Sequence, residues 1–198
     1  MARRARMPPV LDETAIRALC DLGRHREAAT DAIRELTEAM DRYLSALLRD
    51  EDDAADARSI WAENLWKGLP AFRWESSLRV WAYRLAQNAA LKLRDEAWRK
   101  RGRRLRTTEA SVLAEEAHRS SMMLHELRAR KVNQLRAQLE PEEQALLHLR
   151  LDQELSWKEI SEVLTPPGEE PIPEATLRKR FERIKEKLAQ AARKSGLI

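Results

Sequence analysis

The stretch Leu155-Ser-Trp-Lys-Glu-Ile-Ser-Glu-Val-Leu164 decides the fold of the C-terminal part of this chain. It predicts a short helix, because Ser156 is a good N-cap and Glu159 follows it at the spacing of a capping box. A connection that contains proline and glycine comes next, from Thr165 to Pro173. A second helix is predicted from Ala175 to Leu188. This order of elements is typical of a helix-turn-helix.

The second predicted helix is basic and amphipathic. Apolar residues recur along it every three or four positions and form one stripe, which consists of Leu177, Phe181, Ile184 and Leu188. The solvent side is left to basic residues, namely Arg178, Lys179, Arg183, Lys185 and Lys187. A short helix followed by such a basic helix suits insertion into the major groove of DNA.

The composition indicates a mostly helical protein. The chain has 198 residues, of which 43% are hydrophobic and 35% are charged, and it has only five glycines. Period-two alternation never persists, whereas periodicity of three to four residues is widespread. The sequence therefore predicts an all-α fold. We expect two small helical domains joined by a linker, with the helix-turn-helix in the C-terminal domain.

Further helices and the domain boundaries follow from the same periodicity. Helices are predicted over 12–20, 26–48, 53–67, 76–99, 122–139 and 142–151. Basic residues cluster over 92–106 although the net charge is only +4, a pattern of nucleic-acid binding or of a solvated helix end. The periodicity breaks after Gly102, which predicts domains over 10–102 and 122–198 and a linker over 103–121.

Several classes of function are disfavoured. The one cysteine permits neither an internal disulfide nor a cysteine-based zinc site, which fits a reducing cytosol. No apolar run suits a signal peptide or a membrane span, so we expect no membrane insertion and a cytoplasmic location. The four histidines have no recognised metal or triad spacing, and no glycine-rich phosphate loop is present. We therefore expect no enzymatic activity and no cofactor.

The segment Phe72-Arg-Trp-Glu-Ser-Ser77 predicts a loop between two helices. Trp74 follows Arg73 in this loop, which leads into a helix that carries Arg79 and Arg84. Two interpretations remain open on physical grounds. The aromatic residues plug the helix junction, or Trp74 stacks on an unpaired base.

The segment from Phe72 to Leu91 resembles the promoter-melting segment of bacterial RNA polymerase sigma factors, most closely the extracytoplasmic-function type. It contains Leu-Arg-Val-Trp and then Tyr-Arg-Leu-Ala-Gln-Asn. The run from Asp53 to Trp66 is similar to the same group. Leu139-Glu-Pro-Glu-Glu143 and the helix-turn-helix resemble its second conserved domain. The resemblance covers roughly residues 26–190, and its two parts occur in the expected order.

The resemblance implies a role for each domain. The first domain would bind core RNA polymerase and open the −10 element, and the second would read the −35 element. Core polymerase would be bound by Asp53, Asp56, Glu63 and Trp66. The loop that captures a flipped −10 base would consist of Arg73, Trp74, Glu75, Ser76 and Ser77. Further −10 contacts would come from Arg79, Arg84, Asn88 and Lys92. The residues facing the −35 duplex would be Thr176, Arg178, Lys179, Arg180 and Arg183.

The implied partners are core RNA polymerase and promoter DNA, and an anti-sigma factor is a possible third partner. Two features depart from the family pattern: Ser59 and Ile60 replace the usual Gln-Glu pair, and the 165–173 connection is longer and more acidic than an ordinary turn. That connection is expected to be a tolerated loop insertion. The alternatives are that it weakens DNA contact nearby or contacts the polymerase. The first alternative function is a stand-alone helix-turn-helix regulator that binds duplex DNA without polymerase. The second is a sigma-like decoy that does not melt DNA.

Overall fold

A computed structural model describes residues 11–48, 50–101 and 134–195. The elements in chain order are α1 (Glu13–Asp21), α2 (His25–Leu48), α3 (Glu51–Gly68), a 3-10 turn (Leu69–Ala71), α4 (Leu78–Arg101), α5 (Pro141–Leu147), a π-helical turn (His148–Asp152), α6 (Trp157–Leu164) and α7 (Glu174–Lys194). No strand occurs in these ranges, so the predicted all-α fold is confirmed. The predicted linker and most of the predicted 122–139 helix lie outside the described residues.

Polar caps set where the helices begin. The carboxylate of Asp50 accepts hydrogen bonds from the backbone of Asp52 and Asp53, so α3 begins at Glu51, before the predicted start at residue 53. The predicted capping box of Ser156 and Glu159 is present at α6. Pro141 occupies the first turn of α5, where its missing N–H is harmless. The predicted 142–151 helix is not continuous, because its second half is the π-helical turn.

Helices α1 to α4 pack around large apolar side chains. Trp61 on α3 is completely buried, and its Nε1 donates a hydrogen bond to the carbonyl of Ala82 at 3.1 Å. Tyr43, Leu44 and Leu65 complete this centre. The end of α3 lies close to Trp81, since a Cβ added at Gly68 would meet the indole at 3.0 Å. This close approach fixes the junction from which the 72–77 loop emerges.

The hydrophobic core continues into the C-terminal helices. The stripe predicted on α7 faces inward through Leu177, Phe181 and Ile184, and packs on buried Leu155 and Ile160 around α6. Burying this stripe leaves the basic side of α7 exposed, as the periodicity predicts.

The two groups of helices pack on each other, with α6 against α4 and α5 against α2. A polar network is buried at this contact: the Tyr43 hydroxyl donates to Gln87 Oε1 at 2.7 Å, and the Tyr83 hydroxyl lies 3.3 Å from His148 Nε2. The other ring nitrogen of His148 lies 3.1 Å from an oxygen of Asp152. Buried polar groups require such partners, so the network specifies how the groups meet.

Candidate nucleic-acid interface

The 72–77 loop is held by aromatic contacts. The Phe72 ring stacks on Trp81, with centroids 4.6 Å apart, and the Trp74 ring lies 5.0 Å from Phe72. Arg17 of α1 places its guanidinium 5.4 Å from the centroid of the Trp74 ring. Phe72 therefore plugs the helix junction, as one of the two interpretations proposes. Trp74 is half-buried at the edge of that plug.

The backbone of Trp74 adopts the left-handed conformation, with φ of 58°. A bulky L-residue reaches this region only at an energetic cost, so surrounding contacts must maintain it. Next to Trp74 in the sequence, the side chains of Arg73 and Glu75 are exposed, and their charged groups are 3.9 Å apart. An exposed pair at that distance contributes little, so both side chains are free to meet another molecule.

The start of α4 lies just after the predicted contact serines. Its first turn begins at Leu78, because the Ser77 hydroxyl accepts a hydrogen bond from the backbone of Val80 at 3.2 Å. Ser76 is half-buried, and its hydroxyl is 3.4 Å from the Ser77 carbonyl. Of the two predicted loop serines, Ser77 therefore has a structural function in capping this helix.

The predicted −10 contacts on α4 lie on its outer side. Arg84, Asn88 and Lys92 follow each other at intervals of four residues, so they form one row along the helix. Arg84 and Lys92 are exposed, whereas Asn88 and Arg79 are half-buried. The row begins about two helical turns after Ser77, where the loop ends.

The predicted polymerase-binding residues lie on the exposed side of α3. Asp56 and Glu63 are exposed, Asp53 is half-buried, and the Trp66 side chain is exposed although it is large and apolar. Ser59 is exposed and its hydroxyl donates to the Ala55 carbonyl. An exposed tryptophan is typical of a protein-binding surface.

The presence of Ile60 at a position where the family usually has a polar residue has a structural reason. Ile60 is half-buried and packs against the hydrophobic core. This position therefore contributes to the packing of α3 as well as to its outer side. The neighbouring Ser59 remains available on that outer side.

The basic side of α7 is open to solvent. Arg178, Lys179, Arg180 and Arg183 are exposed, and Thr176 is half-buried near the start of the helix. Arg178 pairs with Glu174 at 2.9 Å, and its guanidinium lies 6.0 Å from the ring of Trp157. Arg150 covers the same ring at 4.7 Å. The sequence predicted neither Arg150 nor Trp157 at this surface, because their proximity depends on how the π-helical turn folds.

The 165–173 connection is tied back to α6. The buried Ser161 hydroxyl donates to the Ile172 carbonyl at 2.7 Å, and the Ile172 backbone donates to Thr165 Oγ1 at 3.1 Å. Gly168 turns the chain with φ of 85°, which glycine adopts without strain. The connection therefore ends in a fixed position, from which Pro173 leads into α7.

A cleft of about 540 Å³ separates the start of α5 from α7. Arg180, Arg183 and Lys187 line it on one side, and Glu140 and Glu143 line it on the other. Lys187 forms an ion pair with Glu143. Part of the cationic surface of α7 thus faces the acidic start of α5.

Comparison with known proteins supports the resemblance. The chain is 26% identical over 146 residues to RNA polymerase sigma factor YlaC of Bacillus subtilis strain 168, a match that covers 71% of this chain and 82% of that protein. A solved structure of CnrH in complex with the cytosolic domain of CnrY aligns with a TM-score of 0.58. It covers 91% of this chain and 96% of CnrH at 16% identity, so it supports the fold. No protein-family model matches the chain.

The predicted resemblance to sigma factors of the extracytoplasmic-function type is therefore confirmed. Among the described residues, no helix is both long and apolar enough to cross a membrane. Within the same ranges, no group of three or more histidine, cysteine or carboxylate side chains is arranged to hold a metal ion.

Proposed function

We propose that this protein is a sigma factor that binds core RNA polymerase and directs promoter recognition, DNA melting and transcription initiation in the cytoplasm. The main support is the combination, in one chain with a sigma-factor relative, of a tryptophan-bearing loop and a basic helix-turn-helix. A stand-alone duplex-binding regulator would need only the second of these elements.

We assign the first contact with promoter DNA to α7. Arginine side chains on such a helix pair with guanine edges or with phosphates in the major groove. The five predicted residues project from a helix that buried Leu177, Phe181 and Ile184 hold rigidly. This domain, over 122–198, would position the protein on the −35 element.

We assign strand opening to the loop and to α4, in the domain over 10–102. A base taken out of the stack loses a few kcal/mol of stacking and pairing energy, which the receiving pocket must return. Trp74 offers an aromatic surface, and Arg84, Asn88 and Lys92 offer a polar row for the strand that leaves it. Core polymerase would bind the outer side of α3, through Asp53, Asp56, Glu63 and Trp66.

Promoter binding would require the two groups of helices to separate. The −10 and −35 elements lie roughly 25 base pairs apart, which is about 85 Å at 3.4 Å per base pair. In the structure, helices α1–α4 pack against α5–α7, an arrangement called the closed form here. In this form α6 packs directly on α4, and His148 contacts Tyr83. An anti-sigma factor, as a possible further partner, would act by stabilising a closed form.

The first test is a pull-down of the full-length protein with bacterial core RNA polymerase, followed by transcription from a promoter library. Stable association with promoter-dependent initiation is the expected result, and it would supply the −10 and −35 sequences. Duplex DNA binding without association would instead favour the stand-alone regulator. Association without initiation would favour the decoy.

A further inference from the structure

Helix α1 contacts both the 72–77 loop and the start of α4. The Glu13 carboxylate accepts two backbone hydrogen bonds, from Leu78 at 3.1 Å and from Arg79 at 3.0 Å. One turn further along α1, the Arg17 guanidinium lies over the Trp74 ring at 5.4 Å. Ile16 between them is buried in the core and anchors α1 in place.

Glu13 supplies hydrogen-bond acceptors that the N-terminus of α4 lacks within the helix. The first four backbone N–H groups of a helix lack partners within the helix. In α4, Glu13 accepts from the first two, the Ser77 hydroxyl accepts from Val80, and the Ser77 carbonyl accepts from Trp81 at 3.1 Å. A carboxylate at this end also complements the helix dipole. The start of α4 is therefore fixed relative to α1.

The 72–77 loop, which α1 contacts through Arg17 and which ends just before the Glu13 contacts, contains Trp74, whose backbone is strained. Trp74 has a left-handed backbone, which a bulky side chain keeps only where its surroundings enforce it. Arg17 covers the indole, and Glu13 holds the backbone four residues further on. The same helix thus restrains the loop at two points.

We propose that Glu13 is a positioning residue for strand opening, an inference that rests on the proposed function. Its carboxylate fixes the start of α4, and together with Arg17 it holds Trp74 in the conformation that receives a flipped base. A receiving site that is already ordered does not lose conformational entropy when the base enters. Helix α7 packs mainly on α5 and α6, whereas α1 packs mainly on α2, so we expect this effect to be confined to opening.

The test compares full-length Glu13→Gln with wild type in complex with core polymerase. The amide keeps the shape of the side chain but places an NH2 group where one backbone N–H needs an acceptor. Asp21→Asn is the matched control, because it removes an exposed carboxylate from the same helix. Closed-complex affinity is measured on a duplex promoter, and opening is followed by 2-aminopurine fluorescence in the −10 element.

The expected result is opening slowed about tenfold in Glu13→Gln, with unchanged closed-complex affinity and wild-type behaviour in Asp21→Asn. Arg17→Gln, at an exposed position, is expected to slow opening in the same direction. Wild-type opening rates in Glu13→Gln would overturn the inference. An equal loss of affinity and opening, accompanied by a lower melting temperature, would also overturn it, since that pattern reflects a structural role alone.

Amide hydrogen exchange separates this inference from the proposed function. The backbone amides of residues 78–80 should exchange faster in Glu13→Gln than in wild type or Asp21→Asn, without any DNA present. If wild type opens no promoter, the proposed function fails, whatever the exchange result. Unchanged exchange in Glu13→Gln would overturn the positioning role on its own.

Discussion

The 72–77 loop and helix α7 are both proposed to contact promoter DNA, but they are built in opposite ways. The loop is restrained by ring contacts, by α1 and by a left-handed tryptophan. Helix α7 presents flexible cationic side chains on a regular, amphipathic helix. We infer from this difference that the loop acts through its shape, and that α7 acts through side-chain contacts to bases and phosphates. Changes in the loop should therefore affect opening, and changes in α7 should affect duplex affinity and its dependence on salt.

The largest effect is expected from Trp74→Ala. Loss of base stacking, worth about 1–3 kcal/mol per base, should slow promoter opening by roughly tenfold to a hundredfold. Affinity for duplex DNA should remain close to wild type. The measurement is fluorescence-detected opening beside duplex binding, with Trp74→Phe as a control that keeps an aromatic ring. Equal losses in both assays would contradict the division between the regions.

An effect of similar size, on duplex affinity instead of on opening, is expected from Arg178→Ala. Loss of one arginine contact to a base should weaken binding to the upstream duplex element by about 1–3 kcal/mol, with less discrimination at that position. Arg193→Ala is the matched control, because it removes the same charge from the exposed last turn of α7. Fluorescence anisotropy at several salt concentrations measures the affinities. Equal effects of the two variants would mean that α7 acts through net charge alone.

Ser161→Ala tests whether α7 depends on the connection before it. The change removes the hydroxyl that donates to the half-buried Ile172 carbonyl, and losing such a hydrogen bond costs about 1 kcal/mol. A lower melting temperature and weaker binding to the upstream duplex are expected. Ser195→Ala, at the exposed C-cap of α7, should change neither quantity. Wild-type duplex affinity in Ser161→Ala would show that α7 holds its position without this bond.

The smallest effect is expected from lowering the pH, which should reduce the melting temperature of the protein. Burial opposes ionisation of Asp152, but the His148 hydrogen bond and the Arg136 charge outweigh it and lower the pKa of Asp152. A lowered pKa stabilises the folded protein above the unfolded value, near 3.9, and this contribution is lost as pH falls through the folded pKa. Melting temperatures from pH 5 down to pH 2.5 should therefore fall more steeply in wild type than in Asp152→Asn. Parallel curves would contradict the assignment.

Local patterns predicted much of this architecture. Ser156 and Glu159 gave the start of α6, and the spacing of Leu177, Phe181 and Ile184 gave the buried side of α7. The bounds of α2 also agree closely with the prediction. Such features depend on residues a few positions apart, so sequence spacing is sufficient to find them. The functional assignments of the individual site residues remain predictions.

The sequence by itself determined α2, the start of α6, and the apolar and basic sides of α7. Only the tertiary structure decided that Glu13 caps α4, that His148 packs against both Tyr43 and Tyr83, and that Arg150 covers Trp157. The positions of Glu13 and Leu78 differ by 65 residues, and those of Tyr83 and His148 also by 65. Contacts over such separations depend on how whole helices pack, which no local periodicity encodes.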